Sequence, residues 1–271
     1  MPESILFHRT GLAGLEAMSA DTARSFPRHT HDQYGIGVID RGAQSSASDA
    51  RQVEAGPGDL IFVNPGEVHD GRARDGKPRA WRMLYLDPAL LQQAREDVLE
   101  SRGGAPAFLA PVASDAPMRA LFDALHTRLT RSGGTLDAMA GELAVLRLAA
   151  GLEHRLLRGA LPPRHDGRIA RARERIDDAP AAALSLAGLA EDAGMSRFQL
   201  HRAFLRELGL SPHAYILQQR LALARRLIRA GTPLAETALA AGFCDQSHLS
   251  RCFARAYGVP PGRYARPRPA R

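Results

Sequence analysis

From Tyr34 to about Leu86, short apolar runs are broken by turn residues, as YGIGVI, DRGAQ, QVEAGPGDLIFV, NPGEVHDG and WRMLYL. Runs of this length between Gly and Pro corners predict antiparallel strands that close into a small barrel or jelly roll. After Asp87-Pro88 the period lengthens to that of a helix, through PALLQQAREDVLES, PMRALFDALHTRLTR and DAMAGELAVLRLAAGLEHRLL. Leu121, Leu125 and Leu129 fall on one face, and so do Met139, Leu143 and Leu146, which predicts amphipathic helices with an apolar stripe. The segment 159–168, GALPPRHDGR, puts two prolines among polar residues and reads as a linker.

Beyond it, one pattern occurs twice. In LAGLAEDAGMSRFQLHRAFLREL, Gly194 supplies a positive φ that ends a short helix and Ser196 is placed to cap the next. Leu200, Phe204 and Leu208 then face a core, leaving Arg197, Phe198, His201 and Arg202 on another surface. Ser211-Pro212, an N-cap followed by proline at the first helical position, opens the connecting helix HAYILQQRLALARRLIRA. The second copy has AETALAA ending at Gly242, a capping Asp245, and QSHLSRCFARAY with Leu249, Phe253 and Tyr257 as its stripe. Two helix-turn-helix units in tandem form an internal repeat.

Charge divides the chain at the same place. The formal net charge is +7, yet residues 168–271 hold 17 Arg against 8 acidic residues, while 1–167 hold 19 basic against 21 acidic. A polyanion partner is therefore expected for the second half only. Lys77 is the sole lysine, so nearly every cation is an Arg, the side chain suited to bidentate phosphate and guanine contacts. No run of eighteen apolar residues occurs and the start MPESILFHRTGL lacks the features of a secretory signal, which predicts a soluble, cytoplasmic protein with no membrane partner. Two cysteines, Cys244 and Cys252, exclude a disulfide framework and read as free thiols.

The second unit resembles the AraC family of transcription regulators. The resemblance rests on Ala240-Ala241-Gly242-Phe243, Ser247, Leu249, Arg251, Phe253, Gly258, Pro260-Pro261 and Tyr264, and covers about 170–266. It implies a sequence-specific regulator that binds double-stranded DNA, each recognition helix entering the major groove. A connecting helix of about 20 residues spans ~30 Å, close to the ~34 Å repeat of the duplex. By position, the base readers are Arg197, Phe198, His201 and Arg202 in the first unit and Gln246, Ser247, Ser250 and Arg251 in the second, with His248 and Arg263 as phosphate contacts. Arg can read guanine, Gln adenine, and a Phe ring the thymine methyl; a phosphate contact is the alternative at each position.

Residues 28–73 resemble the cupin-like sensor domain found ahead of this module in many family members. His29-Thr30-His31 is followed by Gly35, where metal-binding cupins carry Glu, and then by Gly42. The second motif, Gly58 to His69, keeps Gly66 and His69 but has Asn64 for proline and, beyond it, Ala73 for Asn. Three imidazoles suit Zn, Ni, Cu or Fe, but the completing carboxylate is missing. The reading is therefore a metal-free pocket for a small polar metabolite, with no cofactor, formed by His29, His31, Tyr34, Arg41, Glu67, His69, Trp81 and Met83. Histidines that merely satisfy barrel polar groups are the bland alternative. The expected architecture is a two-domain α+β protein. It has a cupin-like β-barrel with flanking dimerisation helices (1–158), a linker (159–168) and an all-α tandem helix-turn-helix domain (169–271). The resemblance implies a homodimer paired through the helices between 88 and 157, a small-molecule effector, contact with RNA polymerase, and no enzymatic activity. The rival is a cupin-type metal-dependent enzyme fused to a DNA-binding domain.

Overall fold

The turn residues of the first half do separate strands, and paired strands decide which side chains share a face. The computed structural model describes residues 3–8, 10–48, 51–99, 105–131, 138–160, 167 and 169–266, which fall into two compact units, 3–160 and 167–266. Most of the expected linker, 161–166 and 168, lies outside the described residues. The first unit runs β1 (Ser4–His8), β2 (Leu15–Thr22), β3 (Phe26–His29), β4 (Tyr34–Arg41), β5 (Gln44–Ser48), β6 (Arg51–Ala55), β7 (Leu60–Val63), β8 (His69–Ala73) and β9 (Arg79–Leu86). It continues with α1 (Pro88–Leu99), β10 (Pro106–Phe108), β11 (Val112–Ala113), α2 (Ala116–Arg131), α3 (Ala138–Arg155) and β12 (Leu157–Ala160).

Two antiparallel sheets result, in the orders β1-β2-β9-β4-β7-β11 and β3-β8-β5-β6, with β10 and β12 as a separate pair. Directly paired residues of an antiparallel ladder share a face. On the larger sheet, Glu16, Tyr85, Gly35 and Val63 therefore lie together, as do Met18, Met83, Gly37 and Ile61. This face meets the smaller sheet, because Trp81 stands edge-on to Phe26 of β3 at 6.1 Å and Arg79 reaches Gln44 of β5 at 2.9 Å. The alternate residues, among them Tyr34, Ile36, Val38, Leu84 and Leu86, form the core against Phe122 and Leu125 of α2 and Leu148 and Leu152 of α3. Each fully buried Leu or Phe there contributes ~1.5–3 kcal/mol.

One expected stripe is not in that core. The buried face of α3 is Val145, Leu148, Ala149 and Leu152, whereas Met139 is 74% exposed and Leu143 46%. At ~100° per residue, Leu143 sits about 200° round the helix from Val145, so the two cannot face the same layer. Leu146 lies at the core margin.

The second unit is all helix: α4 (Ala170–Asp178), α5 (Leu186–Asp192), α6 (Arg197–Leu208), α7 (Pro212–Arg229), α8 (Leu234–Ala240), α9 (Gln246–Tyr257) and α10 (Pro261–Ala265). Leu200, Phe204 and Leu208 are buried on α6, and Leu249 and Phe253 on α9, as the periodicity requires. Tyr257 is half-buried and packs on Phe253 with ring centroids 4.4 Å apart. Ser211 caps α7 by accepting from the Ala214 N–H at 3.2 Å, with Pro212 at the first position. Among the described residues, no helix is long and apolar enough to cross a membrane.

Candidate nucleic-acid interface and sensor site

Each recognition helix is fixed at its first turn by a side-chain cap. The Ser196 hydroxyl accepts from the Gln199 N–H at 3.2 Å while the Gln199 side chain accepts from the Ser196 N–H at 2.9 Å, a complete capping box for α6. In α9 the Asp245 carboxylate accepts from the His248 N–H at 2.6 Å. The caps put matching positions on the outer surface. Arg197, Phe198 and Arg202 are exposed with His201 half-buried, and Gln246, Ser247 and Arg251 are exposed with Ser250 half-buried. Both sets follow the spacing i, i+1, i+4, i+5, so each presents one stripe. The Arg202 guanidinium lies 5.7 Å from the Phe198 ring centroid, within reach of a cation–π contact.

A frame of Arg and Tyr side chains joins the two helix-turn-helix repeats within 167–266. From α7, Arg220 donates to the backbone carbonyls of Pro180 at 2.8 Å, Gly242 at 2.7 Å and Ala182 at 3.0 Å. It thus ties the segment before α5 to the turn between α8 and α9. Gly242 makes that approach possible: its φ is +80°, and a Cβ there would lie 2.9 Å from both Ala181 Cα and Arg220 Nε. The Tyr215 hydroxyl donates to Asp177 at 2.7 Å and accepts from Arg173 at 2.9 Å, pinning α4 to α7, and burial drives its pKa well above the ordinary phenol value.

In the sensor half, β3 and β8 pair His29 directly with His69, and His31 follows two residues on. The ring centroids of His29–His69, His31–His69 and His29–His31 are 4.3, 4.6 and 5.2 Å apart. Each residue brings one ligand-capable nitrogen to a cluster within which these atoms all lie inside 4.8 Å of one another. His29 Nδ1 bonds the Pro27 carbonyl at 2.8 Å and His69 Nδ1 the Glu67 carbonyl at 3.2 Å. A carbonyl only accepts, so in both rings Nδ1 carries the proton and Nε2 the lone pair. Burial, and secondarily the His69 charge, pull the His29 pKa down to about 3, so this ring is neutral near pH 7. Tyr85 stands edge-on to His31 at 5.3 Å, and Trp81 and Met83 lie on the same inner face.

Three of the sequence candidates are placed elsewhere. Tyr34 is on the opposite face of the sheet, where its hydroxyl donates to the Pro106 carbonyl at 2.7 Å inside the helix-side core. Arg41 is exposed and pairs with Asp21 at 2.7 Å; a register shift between Ile39 and Arg41 turns it outward. Glu67 is buried in the turn between β7 and β8, accepting from the backbone N–H and the side-chain amide of Asn64, both at 3.0 Å. Glu67 thus shapes the loop that presents His69. Asn64, which stands where proline was expected, also exchanges two hydrogen bonds with the Phe108 backbone, at 3.0 and 2.9 Å. Proline could make neither.

Residues 12–146 match the AraC-like ligand binding domain, and residues 189–267 match a helix-turn-helix domain. The chain belongs to the AraC family of transcriptional regulators. Among its AraC-family relatives, the HTH-type regulator YbfI of Bacillus subtilis is 27% identical over 83% of this chain and 82% of its own length. The activator RhaS of Escherichia fergusonii is 26% identical over 88% of this chain and 86% of its own. The fold is that of ToxT from Vibrio cholerae, solved with an unsaturated fatty acid bound. That structure superposes with a TM-score of 0.59 at 11% identity, covering 98% of this chain and 95% of that one.

Two residues of this AraC-family sensor were not found from sequence. Arg79 is fully buried, donates to Gln44 at 2.9 Å, the Arg24 carbonyl at 3.0 Å and the Gly71 carbonyl at 3.2 Å, and lies 4.5 Å from the Trp81 ring. Burial lowers its pKa to about 10. Tyr85 is the other. Both signals were present, because Arg79, Trp81, Met83 and Tyr85 alternate along one strand and must share a face.

Proposed function

We propose that this regulator reads DNA through Arg197, Phe198, His201 and Arg202 of α6 and through Gln246, Ser247, Ser250 and Arg251 of α9. The observation that carries the reading is the same outward stripe on two capped helices held by one frame. The 18 residues of α7 span about 27 Å, which suits successive major-groove entries on one side of a duplex. The inner face of the sensor sheets, with His29, His31, His69, Trp81 and Met83, is the effector site. An effector placed there changes DNA binding only through a difference in its affinity for two states of the protein. The exposed Met139 and Leu143 of α3 supply an apolar surface for pairing two copies in the cytoplasm, which at a promoter would act on RNA polymerase. A sensing and dimerisation domain over 1–158, a linker over 159–168, of which 159–160 belong to β12, and a DNA-binding domain over 169–271 fit this division of labour, and no catalytic step is assigned to the chain.

The test uses a duplex enriched from a random pool with the full chain, and a scrambled duplex beside it. Arg202→Ala and Arg251→Ala should each cost ~1–3 kcal/mol on the enriched duplex and far less on the scrambled one. Arg263→Ala should weaken both alike and lower the salt slope by roughly one. Equal losses for all three variants on both duplexes would leave a basic clamp without sequence readout.

A further inference from the structure

We infer that His29, His31 and His69 bind one divalent late-transition-metal ion, and that the effector enters as an additional ligand of that ion. The inference deepens the reading of the sensor site above and rests on it for the word effector. It reverses the sequence-based expectation of a metal-free pocket, which rested on the missing carboxylate alone. Geometry is the first ground. An imidazole bound through nitrogen at ~2.0–2.1 Å has its ring centre about 3.2 Å from the ion, so three rings around one tetrahedral centre have centroids about 5 Å apart. The observed separations are 4.3, 4.6 and 5.2 Å, with the nitrogens already inside 4.8 Å of one another.

Tautomer is the second ground. His29 and His69 each donate Nδ1–H to a backbone carbonyl, which orients the ring and leaves the lone pair on Nε2, the outer-shell arrangement that metal-ligating histidines use. An Nε2 lone pair on His29 and on His69 is the donor that a cation requires. Imidazole donors select Zn, Ni, Co or Cu rather than Mg or Ca.

The surroundings leave a coordination position open. Among the described residues no carboxylate joins the cluster. Asp70 beside it accepts from the Ala47 N–H at 2.6 Å and pairs with Arg72, Glu67 is engaged by Asn64, and Glu16 lies on β2 opposite Tyr85. At Gly35, a side chain would start 3.2 Å from Met83 Cε and 3.3 Å from Val63 Cβ, so that ground is filled by apolar atoms. Three protein ligands with a vacant position are the pattern of sites that take up an exogenous donor.

The probe is Co2+, added to the chelator-treated full chain and read by its visible d–d absorption, with azide as a generic exogenous ligand and melting temperature as the check on folding. One equivalent should give a saturating low-symmetry spectrum, and azide should change it. His29→Gln and His69→Gln should each lower Co2+ affinity by more than the roughly 10–100-fold that loss of an outer-shell partner costs. His31 is the most buried of the three, so His31→Ala serves only where its melting temperature holds. Tight binding that survives both Gln substitutions, or no spectrum with the wild-type chain, overturns the metal site. A spectrum blind to azide overturns the open position. Binding to the enriched duplex is measured on the same samples: intact DNA binding with no metal uptake sinks this inference alone, whereas loss of sequence-selective binding by the wild-type chain sinks the functional reading.

Discussion

The two helix-turn-helix units share a frame and differ in nearly everything they present. Each has a left-handed glycine in its turn, Gly194 at φ +62° and Gly242 at +80°, and another ending its recognition helix, Gly209 at +65° and Gly258 at +76°. Each buries a Leu and a Phe four residues apart, Leu200 with Phe204 and Leu249 with Phe253. The outward stripes diverge: α6 carries two arginines and a 67% exposed Phe198, while α9 carries Gln246, two small serines and one arginine. The repeat therefore encodes the scaffold, and the stripes proposed to read DNA occupy positions the scaffold does not need.

Even within the frame the equivalence is incomplete. A Cβ at Gly194 meets nothing within 4 Å, whereas at Gly242 it collides with Ala181 and Arg220. Gly194→Ala should thus cost only the left-handed backbone penalty, ~1–2 kcal/mol. Gly242→Ala adds a forced displacement of ~1–3 kcal/mol, for a total of ~2–5 kcal/mol. Urea unfolding of the full chain, followed by far-ultraviolet circular dichroism, measures both. Equal losses would remove Arg220 and its three carbonyls from the list of frame elements.

This scaffold was legible because its signals are local. A capping serine, a glycine and a period of 3.6 sit within a dozen residues of the helix they specify, so Ser196, Gly194 and the Leu200 stripe could be read directly. The sensor was legible only as strands. Which side of a strand faces the pocket depends on partners far along the chain, and a single bulge reverses it. Tyr34 was assigned to the pocket although its neighbours Gly35 and Gly37 are the inward pair. Arg41 would have continued the inward parity of Ile39 but for the register shift between them. Glu67 has the right address and another task, holding Asn64, which no sequence pattern distinguishes from ligand binding. The three histidines were found, but their convergence is a property of the pairing of β3 with β8.

The next contrast lies between the stripes. Phe198 is a large exposed apolar side chain of α6, proposed to read a thymine methyl and lying 5.7 Å from the Arg202 guanidinium, while Ser247 at the matching place on α9 offers one hydroxyl. Phe198→Ala should weaken binding to the enriched duplex by about 1 kcal/mol, summing lost methyl contact with a cation–π term of ~0.5–1 kcal/mol. Ser247→Ala should cost less than half of that. Anisotropy titrations with duplexes substituted uracil-for-thymine identify the contact: the penalty of Phe198→Ala should shrink at the position where removing the methyl already weakens the wild type. A Ser247→Ala loss exceeding that of Phe198→Ala would invert the ranking of the two helices.

The smallest expected effect separates the caps themselves. Ser196 and Asp245 perform the same backbone duty, but only Asp245 places a negative charge at the start of a helix proposed to enter the groove of a polyanion. Serine and aspartate are near-equal N-caps, whereas alanine there costs ~1 kcal/mol. Asp245→Ser should therefore leave the unfolding midpoint nearly unchanged while Asp245→Ala lowers it. Removing the charge should also strengthen binding to scrambled and enriched duplexes alike by a few tenths of a kcal/mol, an effect that fades as added salt screens the phosphates. The reciprocal Ser196→Asp should weaken both duplexes by a similar amount if α6 approaches the backbone as α9 does. Should Asp245→Ser unfold as readily as Asp245→Ala, the carboxylate is doing more than capping. Should Ser196→Asp leave binding untouched at low salt, the two helices do not approach the phosphates alike, and the symmetry of the repeat ends at the protein surface.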